Sequence, residues 1–210
     1  MLMIRPVRHD DLDALYRIAL ETGDGGDDAT PLYADGRLLG HIYAAPYAVL
    51  CPETVFVVED ASGVAGYIVG AADTERFEAC LERDWWPTLR ATCPDPAAIP
   101  PAARTLDQRR MHTIHHPPRT PTALATSYPS HLHINLLPRA RGLGIGGALL
   151  ETWISAIRRL GSAGAHLAVG LNNTRAIRFY HAHGFQAPDD IPPFGPAACW
   201  LVRGLAARAC

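Results

Sequence analysis

Pro138-Arg-Ala-Arg141-Gly142-Leu-Gly144-Ile-Gly146-Gly147-Ala-Leu-Leu150 is the stretch whose reading decides the fold. A strand-like run, His131 to Leu137, feeds it, and an apolar helix follows. Four glycines, Gly142, Gly144, Gly146 and Gly147, leave backbone N–H groups uncovered at the start of that helix. Such donors converge, the helix dipole favours negative charge, and Arg139 and Arg141 add positive charge, so the turn suits a phosphate or pyrophosphate.

Two familiar phosphate loops fit poorly. A Walker loop requires Lys then Ser or Thr after its last glycine, and here the chain runs Gly146-Gly147-Ala-Leu. The dinucleotide fingerprint is met only in part, by Gly142-Leu-Gly144 with Gly147 following. The spacing Arg141-x-x-Gly144-x-Gly146 resembles instead the acyl-CoA pyrophosphate loop of the GNAT acetyltransferase superfamily. A second pattern lies roughly 30 residues on, the separation of a helix-plus-strand unit. Asn173-Thr-Arg-Ala176-Ile-Arg-Phe179-Tyr180-His-Ala-His-Gly184-Phe185 is similar to the second half of the GNAT cofactor site. Ala176, Phe179 and Tyr180 fall on adjacent helical turns, where a small residue lets a thioester arm approach. Gly184 suits the left-handed position that ends a helix.

The bulk numbers are ordinary. The chain has 210 residues, 48% hydrophobic and 19% charged, with a formal net charge of −2. That leaves no electrostatic footprint for nucleic acid. The five cysteines (51, 80, 93, 199 and 210) are scattered without a CxxC pair, and reduced cytoplasmic thiols are the plain reading. No apolar run reaches membrane-spanning length. A cytoplasmic protein with neither membrane nor nucleic-acid partner is expected.

Residues 2–7 alternate as an opening strand. His9-Asp-Asp-Leu-Asp offers an N-cap to a helix reaching about Glu21, with Leu12, Leu15, Tyr16 and Ala19 at helical spacing. A second helix is predicted from Leu38 to Leu50, interrupted near Pro46. Val55–Glu59 and Val64–Ala71 read as an antiparallel hairpin. A helix from Thr74 to Trp86 sets Phe77, Leu81 and Trp85 on one face. Residues 87–130 form a Pro-rich insertion with one short helix from Thr105 to His115. Strand 131–137, helix 146–160, strand 165–169, helix 173–183 and a strand near 198–202 complete a single domain spanning 1–210.

The resemblance implies an α/β (mixed α+β) fold: a GNAT-type twisted mixed sheet flanked by helices, its fourth and fifth strands splayed. The pantetheine arm of acetyl-CoA would lie in that gap, hydrogen-bonded as an added strand is, with Leu136 and Leu137 offering the bonds. The amides of residues 141–147, Ile145 among them, would hold the pyrophosphate. Leu38 to Tyr47, Phe77 to Trp86 and His112-Thr-Ile-His-His-Pro-Pro-Arg119 are similar to a bacterial group related to the C-terminal acetyltransferase-like region of eukaryotic O-GlcNAcase. Membership of that group does not guarantee catalysis.

The resemblance implies N-acetyl transfer to a small-molecule or peptide amine by direct attack in a ternary complex; it leaves room for a homodimer. A non-catalytic acyl-CoA-binding module is the rival reading. Tyr180 stands where the family carries the tyrosine that protonates the leaving thiolate, a role a phenol can fill at neutral pH. Asn173 either contacts the arm or caps its helix. His131, His133 and Asn135 share one face of their strand, and either histidine is a base or a hydrogen-bonded structural group. Asp73 either faces the acceptor or caps the next helix, and Trp85 either walls an acceptor pocket or packs in the core. Asp24, Asp27 and Asp28 lie in an acidic loop that in the GNAT fold borders the acceptor; there they favour a cationic amine, and otherwise they are simply solvated. His112, His115 and His116 have ligand-like spacing without a matching carboxylate or cysteine, so no metal is expected.

Overall fold

The computed structural model describes residues 2–205; Cys210 lies outside them. Six strands form one sheet in sequential order: β1 (Met3–Pro6), β2 (Phe56–Asp60), β3 (Gly63–Ala71), β4 (Ser130–Leu136), β5 (Gly164–Gly170) and β6 (Ala198–Gly204). All neighbours are antiparallel except β4 and β5, which run parallel. That one parallel step requires a crossover, and the helix α8 (Ile145–Arg159) supplies it. β4 and β5 pair only at Ser130–Ala165 and His131–His166, then diverge. The expected splay is therefore present.

The even–odd alternation of the strands sorts residues onto two faces. Val57, Tyr67, Val69 and Ala71 pack with α1 (Leu12–Glu21), α2 (Leu38–Tyr43), α3 (Ala45–Leu50) and α4 (Thr74–Cys80). Ile68, Leu132, Leu167 and Leu201 pack with α8 and α9 (Thr174–Ala182), where Trp153 is fully buried. The N-cap expected of His9-Asp-Asp is replaced by a tether. Asp11 is buried, accepts from Arg8 N at 2.7 Å, and takes two bonds from Arg5 at 2.7 and 2.8 Å, tying β1 to α1. The break expected near Pro46 comes at Ala44; Pro46 sits in the first turn of α3, where its missing N–H costs nothing.

Two expectations for the middle of the chain are corrected. The helix from Thr74 does not end at Trp86. It widens into a π turn over Leu81–Trp85 and continues as α5 (Trp86–Thr92). Pro87 cannot donate and crowds the preceding turn, and the wider π turn absorbs both defects. The extra residue shifts the phase, so Trp86 is buried, while Trp85 stays half-buried against the same core as Phe77 and Leu81 and donates to His41 O at 2.9 Å. Residues 87–130 hold α6 (Leu106–His115), as predicted, and also α7 (Thr122–Ser127), which periodicity did not reveal. Among the described residues no helix is long and apolar enough to cross a membrane.

Candidate active site

The glycine turn forms as the sequence implies. Gly142 and Gly144 have φ of +75° and +74°, a left-handed conformation that costs other residues energy. Gly144 is the N-cap of α8 and brings no side-chain cap, so the first N–H groups of the helix have no side-chain acceptor. Arg141 lies beside them, its Nε donating to Leu136 O at 2.8 Å and its Nη2 to Gly26 O. Burial and the nearby Arg175 hold the Arg141 guanidinium below its ordinary pKa. Arg139 does not join this group. It reaches back to the β2–β3 turn and pairs with Asp60 at 3.0 Å.

The gap between β4 and β5 opens directly onto this turn. Leu137 N donates to Ala65 O at 2.8 Å, which fixes the alternation along β4. Leu137 is thus turned toward β3 and buried, and the expectation that it offers bonds to the gap is corrected. The N–H groups of Ile134 and Leu136 point the other way, to the side where β5 has diverged. On the far lip, Asn173 accepts from Ala176 N at 3.0 Å, capping α9, while still lining the gap.

Tyr180 is set by the end of α9. Phe185 N donates to Tyr180 O and Gly184 N to His181 O, with Gly184 at φ +78°. This is the paired-bond helix terminus that a glycine at C′ allows, and Phe185 packs on the Tyr180 ring at 5.5 Å. The hydroxyl faces the cavity with no protein hydrogen-bond partner among the described residues, and burial pushes its pKa up.

A cavity of about 1370 Å³ runs from the glycine turn through the gap to the opposite face of the sheet. Its far end is walled by His131, His133, Tyr43, Tyr47, Trp86 and Arg110. The two candidate histidines differ there. Thr74 Oγ1 donates to Pro129 O at 2.7 Å, so it accepts from His131 Nδ1 at 2.8 Å. His131 Nε2 is then an acceptor and takes the Tyr47 hydroxyl at 2.8 Å. Both nitrogens are occupied, and burial together with His166 and His133 holds the ring well below the usual histidine pKa. His131 is an orienting group for Tyr47, which corrects its expected role as a base. His133 has no protein hydrogen-bond partner among the described residues and stands edge-on to Tyr43 at 5.4 Å. Burial and His166 push its pKa down to about 4, so it is neutral at physiological pH.

Comparison with known proteins shows the family of the chain. The acetyltransferase (GNAT) domain family model matches residues 120–187. The crystal structure of SsHAT is 37% identical, covers 98% of this chain and 99% of its own, and superposes with a TM-score of 0.89. The chain belongs to the GNAT acetyltransferase family. As a GNAT acetyltransferase it uses acetyl-CoA as the acetyl source. YncA of Salmonella typhimurium, solved with its cofactor acetyl-CoA, shares the fold at 18% identity and a TM-score of 0.54, covering 100% of this chain and 96% of its own. Protein O-GlcNAcase of Rattus norvegicus is 22% identical over 182 residues, 86% of this chain. The chain spans about a fifth of the length of the curated O-GlcNAcase relatives it matches, covering 20% of that protein.

Several expected acceptor residues of this acetyltransferase lie elsewhere. Asp24 and Asp27 bridge each other in a turn packed against Asn172, Asn173 and Arg175, at the glycine-turn end of the cavity. Asp28 is exposed and accepts from Thr30 at 2.6 Å. Asp73 caps α4, accepting from Arg76 N at 3.0 Å, and does not line the cavity. Trp85 is replaced there by Trp86 through the π-turn phase shift. His115 and His116 bond Cys93 O at 2.7 Å and Asp95 at 2.9 Å, stapling the insertion. No role follows from sequence for Tyr43, Tyr47 or Arg110: the two tyrosines lie in the segment Leu38 to Tyr47 quoted for the resemblance, and Arg110 comes from α6, outside any motif. Arg175, on α9, lines the cavity and approaches Gly25 O at 3.5 Å. The cysteines at 51, 80, 93 and 199 are free and stand off the cavity, and burial pushes the Cys51 thiol up to about 12.

Proposed function

We propose that this protein is an N-acetyltransferase that moves an acetyl group to a primary amine by direct attack within a ternary complex. One observation carries the reading: a continuous cavity joins uncapped helix donors on one side of the sheet to a neutral, unbonded imidazole on the other, with Tyr180 at the gap between them.

Acetyl-CoA supplies an activated acetyl group as its thioester. The chain's own groups fit it. The amides of Arg141, Gly142, Gly144, Ile145, Gly146 and Gly147 would hold the pyrophosphate with the Arg141 side chain, and Arg175 adds charge beside them. Ile134, Leu136 and Asn173 would line the arm, with Ala176 and Phe179 packing along it. Tyr180 keeps its proton because burial disfavours phenolate, and it donates that proton to the departing thiolate. His133 Nδ1 or Nε2 accepts the amine proton; a ring neutral at pH 7 is available for this without first losing a proton. Tyr47, held by His131, walls the amine side. We read residues 1–210 as one catalytic domain whose insertion, 87–130, closes the acceptor end.

The test is Tyr180→Phe in an assay of CoA release against a panel of amines. Turnover should fall by about 10²- to 10⁴-fold, the usual contribution of a placed general acid. Acetyl-CoA affinity should persist, since the ring still packs on Phe185. Undiminished turnover would remove Tyr180 from the chemistry, and failure of the parent protein to acetylate any amine would favour a binding module.

A further inference from the structure

The charges around the cavity do not balance, and the imbalance is localised. Among its carboxylates, Glu82 is held by Arg90 at 2.8 and 3.2 Å. Glu78 accepts from Thr120 N at 3.0 Å and from Arg119 at 3.4 Å. Both are matched by cations of their own. Among the described residues, three arginines lining the cavity have no carboxylate in ion-pairing contact: Arg141, Arg175 and Arg110. The first two stand at the glycine turn, where a pyrophosphate would answer them. Arg110 stands alone at the opposite end.

Its surroundings hold it in place and charged, without a counter-ion. Arg110 Nε donates to Tyr33 Oη at 3.1 Å and Nη1 to Tyr43 Oη at 2.8 Å. Neutral phenols fix the direction of the guanidinium without neutralising it, and Nη2 has no protein acceptor among the described residues. Burial disfavours the Arg110 cation; Tyr43 and Tyr33 more than offset this and keep it charged, and that charge is answered by no carboxylate in ion-pairing contact among the described residues. The planar fork of arginine matches a carboxylate in two-bond geometry. Tyr43 bridges this cation to the proposed base: its ring centre lies 5.6 Å from the Arg110 guanidinium carbon and 5.4 Å from the His133 ring centre. One aromatic ring therefore separates a site for a carboxylate from a site for an amine.

We propose that the acceptor is a small amine carrying a carboxylate on the same skeleton, an amino acid or a close relative, with Arg110 binding the carboxylate while the amine meets His133. This inference rests on the N-acetyltransferase reading above. Pro117, Pro118 and Pro121 of the insertion also line the cavity, and the experiment decides between a free small molecule and a peptide.

The experiment pairs each free amino acid with the amine left by removing its carboxylate, such as lysine with cadaverine, and includes peptides with acidic N-termini. CoA release is measured with the full chain and with Arg110→Met and Arg110→Lys. The amino acid should be the better acceptor. Its kcat/KM relative to the decarboxylated amine should fall about 10- to 100-fold in Arg110→Met, the loss of one charge-assisted contact, and less in Arg110→Lys, which keeps the charge but not the fork. Acetyl-CoA titration of each variant reports that it is folded. A decarboxylated amine that serves as well as its amino acid overturns the proposal, as does a ratio that Arg110→Met leaves unchanged. A peptide preferred over every free amino acid overturns the small-molecule assignment. Should no amine be acetylated, the N-acetyltransferase reading fails separately. Arg110 is then judged by calorimetry of amino acids into CoA-saturated protein, where heat abolished in Arg110→Met supports the subsite and absence of heat refutes it.

Discussion

Helix α8 begins and ends on a glycine in the left-handed region, and this permits a controlled test of the pyrophosphate turn. Gly144, its N-cap, has φ +74°; Gly161, just past its C-terminus, has φ +84°. A Cβ at either position would meet nothing within 4 Å, so Gly→Ala adds backbone strain without a clash. That strain is about 1–2 kcal/mol per residue. For a chain of this size it lowers Tm by about 2–8 °C. Gly144→Ala and Gly161→Ala should therefore lose comparable stability. Ligand binding should separate them. Relaxing residue 144 toward negative φ swings the N–H groups of the turn, so Gly144→Ala should bind acetyl-CoA at least about 10-fold more weakly, one charge-assisted bond or more being lost. Gly161 sits about 25 Å away along the helix, at 1.5 Å per residue. Gly161→Ala should bind acetyl-CoA as the parent does. Thermal denaturation and isothermal calorimetry supply both readings. Equal acetyl-CoA affinity in the two variants would refute the assignment of the pyrophosphate to this turn, and an unchanged Tm in Gly144→Ala would refute the strain argument.

The histidine cluster predicts acid sensitivity. The folded pKa of His133 is about 4, against 6.5 for the free side chain, so the unfolded chain binds the extra proton between these values. Stability contributed by the neutral ring is present above pH 6.5 and is lost as pH falls toward 4, by at most about 3 kcal/mol because the ring faces a cavity that admits water. His133→Asn should flatten the fall in Tm between pH 7 and pH 4.5; an identical slope would contradict the burial argument. Asn173→Ala removes the cap of α9 and should cost about 1 kcal/mol, read as a Tm lower by about 2–4 °C. A Tm equal to the parent's would show that the cap bond contributes nothing.

The fold was legible in the chain wherever its cause is local. Glycines that tolerate positive φ, the Asn173 cap, the Gly184 terminus and the period-2 strands act over a few residues, and the strand–turn–helix at 131–150 is placed as the sequence implies. Trp85 illustrates the limit of periodicity. Helical spacing set it beside Phe77 and Leu81, and it does pack against their core, but the wider turn at Pro87 made Trp86 the buried residue that lines the cavity. The acidic loop illustrates another limit: its charges were evident, but its location beside Arg175 depends on how α1 and α9 come together.

The sequence by itself determined the glycine turn before α8 and the helix terminus at Gly184-Phe185, because capping and backbone conformation answer to near neighbours; the mixed sheet came only as an implication of the family resemblance. Only the tertiary structure decided which histidine is free. His131 and His133 are equivalent in pattern, and they differ because Thr74 and Tyr47 reach one and not the other. Arg110, too, becomes significant only when α6 packs against α2 and the loop before it, which supply the phenols of Tyr43 and Tyr33 but no carboxylate in ion-pairing contact. Separations of 57 to 84 residues along the chain are closed by topology, and no local propensity encodes which side chains they bring together.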